Sequence, residues 1–294
     1  MEYLLIPLVC ALASLKVTLQ SKFSKKGAHT LAQSVLFTAI MFATISVMLL
    51  PTLFDGGITG MTVLYAAALG IFSYLYQVFY VLALSRGRMT LTVLSNNFGM
   101  LIPMAVSIFM LGDPFTPLIG AGVVLVFASL CLSVTQKKEI RRKGEGEGAK
   151  WLILALIVFL TNGIASTAQK LYTAKAGEDI QLFEFVCISY IFAAVASFIT
   201  YLFLSPADKK NGIKPISKGE ALIGCGVGAA LGVFQCVNTF AMSLIGGSVY
   251  YPAYNCLTSL MLTLIGAVLF KERFTVKQYV GIVLGIVAVV LLCI

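Results

Sequence analysis

The chain has 294 residues, of which 59% are hydrophobic and only 11% are charged, and its mean hydropathy is +0.97. Soluble domains carry about 25% charged residues, so this composition argues against a soluble protein. The net charge of +9 would suit nucleic acid or acidic lipid, but the basic residues lie in short loops between apolar runs. We therefore expect a lipid bilayer as a partner and no nucleic acid.

Apolar runs of about 20 residues recur along the whole chain, and each is long enough to cross a hydrocarbon core about 30 Å thick as a helix. The runs lack the alternation of barrel strands, and backbone exposed to lipid must be hydrogen-bonded internally. The fold class predicted is therefore all-α, a polytopic membrane protein with ten transmembrane helices. These ten spans lie at about residues 3–21, 30–50, 60–84, 89–111, 116–135, 151–173, 182–204, 220–244, 247–270 and 275–294.

The basic residues are distributed unevenly between the two sides of the predicted bundle. Most of the 21 lysines and arginines lie in loops that follow odd-numbered spans, whereas the loops after even-numbered spans carry only Lys175. By the positive-inside rule, the odd-numbered loops are cytoplasmic and both termini lie outside. We expect a multi-pass protein of a plasma (inner) membrane. The first span begins Met1-Glu2-Tyr3 and has its lysines after the apolar stretch, an order that disfavours a cleaved signal peptide.

The stretch from Gly70 to Phe115 returns in a degenerate copy 158 positions later. The copy pairs Gly70 with Gly228, Gln77 with Gln235, and Asn97 with Asn255. Equivalent loops carry opposite charge, since LSRGRMT is basic and its counterpart SLIGGSVY is neutral. The sequence therefore predicts two inverted five-helix repeats, 1–136 and 151–294, joined by a basic cytoplasmic linker at 137–150. Such repeats are typical of secondary transporters, whose site lies near the bilayer midplane.

Polar side chains fall on one face of several spans. Those on span six follow helical spacing, and a polar face is costly against lipid, so they predict a cavity lining or hydrogen bonds that join helices. Tyrosines stack on planar or cationic groups, and Asn and Gln amides both donate and accept, which suits small zwitterionic or heteroaromatic solutes. The candidate substrate-binding residues are Tyr76, Gln77, Tyr80, Asn97, Asn162, Gln169, Lys170, Gln235, Asn238, Tyr251, Tyr254 and Asn255.

Three further features have alternative interpretations. Glu184, about one turn inside span seven, would pair with Lys170 or Lys175, or take up an ion or proton during transport. The tyrosines of span nine, Tyr250 in particular, would also suit an interfacial belt. The seven cysteines include no CxxC pair and are expected to be buried thiols, so no metal or cofactor is predicted.

The end of each half carries a short loop motif that resembles a known family. The second copy reads Phe270-Lys271-Glu272-Arg273-Phe274-Thr275, followed by Gly281-Ile282-Val283-Leu284-Gly285. With the ten spans and inverted halves, it resembles the EamA-like family of the drug/metabolite transporter superfamily. The first copy, Gly112-Asp113-Pro114-Phe115-Thr116, lacks the glutamate. An arginine often present early in span two of relatives is absent, so substrates that depend on it are not carried over.

The resemblance implies a basket of helices whose cavity is lined by spans three, four, eight and nine, with spans one and six beside it. The predicted function is secondary-active, alternating-access transport of small polar metabolites such as amino acids, nucleobases or amines, by an exporter or facilitator. The alternatives are a multidrug or quaternary-amine transporter of the same fold, and a non-transporting membrane scaffold or sensor. Smooth spans five and ten would serve packing or a homodimer.

An enzyme is not expected. Catalysis within the membrane requires convergent acids, bases, nucleophiles or metal ligands, whereas this sequence has one histidine and neither an HExxH nor a GxSxG motif. It also lacks the GxxxxGK[ST] phosphate-binding loop of ATP-driven pumps.

Overall fold

The structure is a computed structural model that describes residues 2–24, 30–54, 58–86, 96–133, 148–176, 181–213, 215–270 and 276–293. Helices dominate these ranges, which contain no β-strand, so the predicted all-α class is confirmed. In chain order the helices are α1 (Leu5–Ser24), α2 (Leu31–Leu49), α3 (Gly60–Arg86), α4 (Leu101–Leu111), α5 (Pro117–Ser133), α6 (Gly148–Lys175), α7 (Leu182–Lys210), α8 (Lys218–Leu244), α9 (Gly247–Phe270) and α10 (Val276–Cys293). Short 3-10 helices, Glu2–Leu4 and Leu50–Phe54, flank α1 and α2.

Six helical segments of the described residues are long and apolar enough to cross a membrane. They are Glu2–Leu19, Leu31–Phe54, Gly60–Tyr80, Leu152–Lys175, Leu182–Lys210 and Lys218–Leu244. Shorter apolar helices cover Asn96–Leu111, Pro117–Leu132 and Tyr279–Leu292. Large apolar side chains such as Phe109 and Phe203 are strongly exposed on the outside of the bundle, as lipid-facing residues are. The apolar helices support the predicted multi-pass membrane protein, while the number of ten spans stays a prediction.

The helices pack in a pattern that repeats between the two halves of the chain. α2 packs on α7, and α5 packs on α10. α3 packs on α6 and α7, while α8 packs on α1 and α2. In the same way α1 contacts α9, and α6 contacts α4. Each half therefore covers the other, and the core lies along the seam between them.

Two glycines allow the closest of these approaches. A Cβ atom at Gly228 in α8 would lie 2.5 Å from the carbonyl oxygen of Met41 in α2. A Cβ atom at Gly70 in α3 would meet the carbonyl oxygen of Ser189 in α7. Neither backbone carbonyl can rotate away as a side chain does. Glycine is therefore required at both positions by helix packing.

Local sequence signals fix several helix ends. Thr30 and Gln33 form a capping box at the start of α2, and Ser217 and Glu220 form one at the start of α8. Such boxes satisfy backbone N–H groups that the first helical turn leaves unpaired. α4 ends at Gly112, whose φ of 73° lies in the left-handed region that glycine adopts without strain.

The predicted start of span four at residue 89 lies outside the described residues, which omit 87–95. Within span four, residues 96–98 form one helical turn, and the chain then turns at Gly99 and Met100 before α4 begins at Leu101. The carbonyl of Gly99 accepts a hydrogen bond from the N–H of Ile102 at 3.3 Å. Most of the basic linker 137–150, and the loop motif at 271–275, lie outside the described residues.

Candidate functional site

A chain of four hydrogen-bonded side chains crosses the interior from α7 through α8 to α9. The hydroxyl of Tyr250 donates to Oδ1 of Asn238 at 2.5 Å, and Nδ2 of Asn238 donates to Oε1 of Gln235 at 3.4 Å. Nε2 of Gln235 in turn donates to the hydroxyl of Tyr190 at 2.6 Å. All four side chains are buried, where an unpaired polar group is costly. The chain therefore fixes both amides in one orientation.

Aromatic rings from α8 and α9 surround this chain. Tyr250 stacks on Tyr254 at a centroid distance of 5.9 Å and meets the edge of Tyr251 at 5.6 Å. Phe234 of α8 lies 6.3 Å from Tyr254. Tyr250 is completely buried, so the interpretation of this residue as part of an interfacial belt is wrong. Its ring stacks on Tyr254 and its hydroxyl donates to Asn238, so both parts of the side chain make contacts inside the bundle.

The hydroxyl of Tyr251 links α9 to α6. It donates to the carbonyl oxygen of Ser166 at 3.0 Å, and the Asn255 amide donates to the carbonyl oxygen of Tyr251 at 3.0 Å. Tyr251 is buried, whereas Tyr254 and Asn255 are only half-buried. The predicted residues of span nine are thus close together, with the last two nearer to open space.

The predicted polar face of span six turns inward. Nε2 of Gln169 donates to Thr239 Oγ1 in α8 at 2.6 Å, and Nδ2 of Asn162 donates to the carbonyl oxygen of Asn96 at 3.1 Å. Gln169 thus binds within its own half, whereas Asn162 reaches the first half of the chain. Both predicted residues act here as hydrogen-bonding links between segments.

Lys170 is a buried cation with 6% of its surface exposed. Its ammonium donates to the carbonyl oxygens of Met242 and Ile245, at 3.0 Å and 2.9 Å. These carbonyls lie at the C-terminal end of α8, the negative end of the helix dipole. The geometry explains how a charge is tolerated at this depth, and it directs Lys170 towards the connection between α8 and α9.

The predicted residues of the first half are less enclosed. Tyr76, Gln77 and Tyr80 of α3 are half-buried, and the rings of Tyr76 and Tyr80 lie 5.6 Å apart. Both tyrosines pack on a small apolar cluster that includes Leu154 and Val158 of α6. They therefore line the part of the interior between α3 and the beginning of α6.

Asn97 lies in the helical turn that precedes α4. Its Oδ1 accepts from Nδ2 of Asn96 at 3.5 Å, and its carbonyl accepts from the N–H of Met100. The buried Oδ1 of Asn96 has no hydrogen-bond partner within the described residues. The two asparagines thus place polar groups beside a break in the helix, next to Asn162.

Glu184 lies half-buried in the first turn of α7, where a carboxylate suits the positive end of the helix. Neither of the proposed ion pairs forms among the described residues. Lys170 is bound to backbone carbonyls, and Nζ of Lys175 lies 5.7 Å from the centroid of the Tyr65 ring. Coupling of an ion or proton to Glu184 stays a prediction.

The sequence analysis missed three residues that belong to this arrangement. Tyr190 is one aromatic residue in the apolar span seven, and no local pattern distinguishes it. Tyr250 is adjacent to predicted residues, and an interfacial belt was the alternative interpretation for it. Asp113 follows Gly112, and glycine often ends a helix, so the sequence indicated a turn at this position. Its hydrogen-bond partner, Gly247, belongs to the pair Gly246-Gly247.

Comparisons with known proteins agree with the family resemblance. Residues 149–294 match the model of the EamA-like transporter family. No curated protein matches the chain. A solved structure described only as the crystal structure of a protein has a TM-score of 0.79 and covers 100% of this chain and 98% of that one. At 16% sequence identity, this likeness establishes the fold alone.

The family match covers the second half of the chain. The matched residues 149–294 contain α7, α8 and α9, and so carry all four members of the buried hydrogen-bonded chain. Members of this family are transporters rather than enzymes. Residues 149–294 thus match the EamA-like transporter family, which is consistent with the drug/metabolite transporter superfamily.

Proposed function

We propose that the protein is a secondary-active membrane transporter that moves small polar metabolites by alternating access, as an exporter or facilitator. Amino acids, nucleobases and amines are the substrate classes that an aromatic and amide lining can recognise. The buried chain from Tyr190 to Tyr250 is the observation that carries this proposal. Polar side chains are costly inside an apolar bundle, so four of them at one place support a polar site beside them.

The proposed architecture has ten spans in two inverted five-helix repeats, 1–136 and 151–294. α3 and α8 support it, because Gly60–Arg86 shifted by 158 positions gives the bounds of Lys218–Leu244. The packing pattern supports it as well: exchanging each helix for the one five places along converts the α3–α6 contact into α8–α1, and α1–α9 into α6–α4. Gly70 and Gly228, which are repeat equivalents, approach α7 and α2, which are also equivalents.

The proposed cavity lies between α3, α4, α8 and α9, with α1 and α6 beside it. Its substrate contacts are the half-buried residues of the two halves, chiefly Gln77, Tyr80, Asn97, Tyr254 and Asn255. The buried chain behind them holds the α8 and α9 wall in place. Rocking of the two halves about this region would expose it to each side of the membrane in turn.

The proposed setting is a plasma (inner) membrane with the basic odd-numbered loops in the cytoplasm and both termini outside. The charge distribution supports this orientation through the positive-inside rule. α5 and α10 pack on each other within one chain, and their outer faces expose Val124 and Val283. These faces are where a homodimer would form.

Transport in proteoliposomes tests the proposal. A thermal-shift screen of amino acids, nucleobases and amines first selects a stabilising solute, which is then supplied in labelled form. We expect Tyr251→Ala and Asn255→Ala to reduce uptake at least tenfold, because each removes a polar group from α9. Phe203→Ala, on the strongly exposed outer face of α7, is the matched control and should transport normally. Wild-type uptake by both α9 variants would contradict the proposed site.

A quaternary-amine or multidrug transporter of the same fold is the second candidate. The cluster of Phe234, Tyr250, Tyr251 and Tyr254 favours it, because aromatic faces attract organic cations. Competition decides between the two candidates: a quaternary amine that blocks uptake of every neutral or zwitterionic solute, and is itself transported faster, favours the second. Absence of any transport or thermal shift across the whole panel would favour a scaffold or sensor.

A further inference from the structure

Two charged side chains hold the connection between α8 and α9. Oδ2 of Asp113, in the α4–α5 connection, accepts a hydrogen bond from the backbone N–H of Gly247 at 2.5 Å. Lys170 of α6 donates to the carbonyl oxygens of Met242 and Ile245 at 3.0 Å and 2.9 Å. The segment 242–247 is therefore bound by a carboxylate at one end and by an ammonium at the other.

Each charge is placed where the adjacent helix favours it. Asp113 meets the N-terminal end of α9, where backbone N–H groups carry partial positive charge, and Lys170 meets the C-terminal end of α8, where carbonyls carry partial negative charge. Charge-assisted hydrogen bonds of this kind are stronger than neutral ones. The two contacts therefore act together on one short segment.

The end of α4 fixes the position of Asp113. The N–H groups of Gly112 and Asp113 both donate to the carbonyl oxygen of Ser107, and the left-handed conformation of Gly112 turns the chain at that point. The carboxylate is thus held by a helix-ending turn of the first half. Its position does not depend on a free loop.

The surface that receives Asp113 is made to fit closely. A Cβ atom at Gly246 would lie 3.2 Å from Oδ2 of Asp113, and one at Gly247 would collide with the side chain of Ser107. Ser107 is completely buried, and its hydroxyl has no hydrogen-bond partner within the described residues. Gly247 therefore allows this connection to approach α4, and a side chain at Gly246 would crowd the Asp113 carboxylate.

The two contacts differ in which parts of the chain they join. Lys170 and α8 both belong to the second half, whereas Asp113 belongs to the first half and Gly247 to the second. The Asp113 bond therefore has to break if the halves separate at this end, while the Lys170 bonds can persist. A second carboxylate bond between the halves lies at the C-terminal end of α7, where Oδ2 of Asp208 accepts from Oγ1 of Thr30 at 2.5 Å.

The held segment leads directly into the aromatic cluster. Tyr250 and Tyr251 follow Gly247 within the first turns of α9, so the position of the α8–α9 connection sets the position of their rings. Resting on the proposed function, we propose that Asp113 is a positioning residue that closes the cavity at this end. Its bond to Gly247 forms in the closed arrangement and breaks when this end opens, and Lys170 keeps the connection attached to α6 throughout.

Distance measurements between spin labels test this proposal without any substrate. The labels are placed by Leu118→Cys in α5 and Ser243→Cys in α8, both exposed positions, in a background whose seven native cysteines are replaced. Pulsed electron paramagnetic resonance in lipid nanodiscs then gives the distribution of distances across this end of the protein. The variants compared are Asp113→Ala, Asp113→Asn and, as a matched control, Asp208→Ala.

We expect Asp113→Ala to increase the population at longer distance at least threefold. Asp113→Asn keeps an acceptor oxygen but loses the charge, so a smaller increase in the same direction is expected. Asp208→Ala removes a carboxylate bond at the other end and should leave this label pair unchanged or closer together. Distributions in both Asp113 variants that match the wild type would overturn the proposal, as would an equal increase in Asp208→Ala.

Failure of this proposal can be told apart from failure of the proposed function. Opening caused by Asp113→Ala in a protein that transports none of the solutes supports the contact between the halves and removes the transporter function. Transport by the wild type, with label distances that do not change in the Asp113 variants, supports the transporter function and overturns the role of Asp113. If Asp113→Ala does not give a monodisperse protein, Asp113→Asn alone decides, with the same expected direction.

Discussion

The polar faces of α3 and α8 lie 158 positions apart along the chain, and they differ in how far they are enclosed. Gln235 and Asn238 of α8 are buried and belong to a continuous hydrogen-bonded chain. Their counterparts 158 positions earlier, Gln77 and Tyr80, are only half-buried. Under the proposed function, the same sequence pattern would serve two purposes. In α8 it would hold a wall of the cavity together, and in α3 it would leave polar groups available to a solute.

This difference has a physical basis. A buried polar side chain is stable only when its partners satisfy it, so each member of the α8 chain depends on its neighbours. A half-buried side chain can exchange a protein partner for water or for a ligand at little cost. We infer that substitutions in α8 affect stability first, whereas equivalent substitutions in α3 affect binding first.

The largest expected contrast is between Asn238→Ala and Tyr80→Ala. Asn238→Ala leaves both the Tyr250 hydroxyl and the Gln235 amide oxygen without their partner, and the expected loss in the free energy of unfolding is about 3 kcal/mol. Tyr80→Ala should cost about 1 kcal/mol while reducing transport more than Phe203→Ala does. Equilibrium unfolding in mixed micelles gives the first quantity and proteoliposome uptake the second. Equal destabilisation by the two variants would remove the contrast between α3 and α8.

Glycine substitutions test the close helix packing that is found in both halves of the chain. Gly70→Ala and Gly228→Ala each force a methyl group against a backbone carbonyl of the facing helix, and each should lower the free energy of unfolding by about 2 kcal/mol. Gly226→Ala is the control, because a Cβ atom there meets nothing within 4 Å. It should be neutral or stabilising by up to about 1 kcal/mol, since alanine favours helix. A marked difference between Gly70→Ala and Gly228→Ala would argue against equivalent packing.

The smallest expected effect distinguishes two tyrosine hydroxyls. Tyr250→Phe keeps the stacked ring but removes the donor to Asn238, and we expect a loss of about 1 kcal/mol in the free energy of unfolding. Tyr76→Phe, in the half-buried lining of α3, should change stability by less than about 0.5 kcal/mol. Thermal unfolding in one detergent, with both variants side by side, measures this difference. A larger loss in Tyr76→Phe would show that the α3 lining also depends on internal hydrogen bonds.

The all-α fold could be predicted from the sequence because length and hydropathy alone determine an apolar helix in a membrane. The predicted bounds of spans two and eight agree closely with those of α2 and α8, whose first turns are capped by Thr30 and Ser217. The turn at Gly99 and Met100 before α4 was not predicted, because it lies against Asn162 of α6. A local pattern cannot report such a contact.

The sequence could predict which helix faces form the candidate site, but it could not predict which residues bond to each other across it. Helical spacing indicated that Gln235, Asn238 and Tyr251 share the interior, and the structure places them in one region. Helical spacing could not indicate Tyr190, whose hydrogen-bond partner lies 45 positions away along the chain. Nor could it indicate Asp113, whose partner lies 134 positions away. The first pairing arises from packing within the second half, and the second from the way the two halves pack on each other.

Three helix pairs, α2–α7, α4–α9 and α5–α10, each join two helices that lie five places apart in chain order. In the proposed inverted repeats, an exchange of roles between the halves would leave each of these pairs joined and would convert the α3–α6 contact into the α8–α1 contact. The inward-open and outward-open arrangements would then differ in energy through positions where the two copies differ in sequence, such as Tyr80 and Asn238. Divergence between the copies would therefore set the resting direction of the protein.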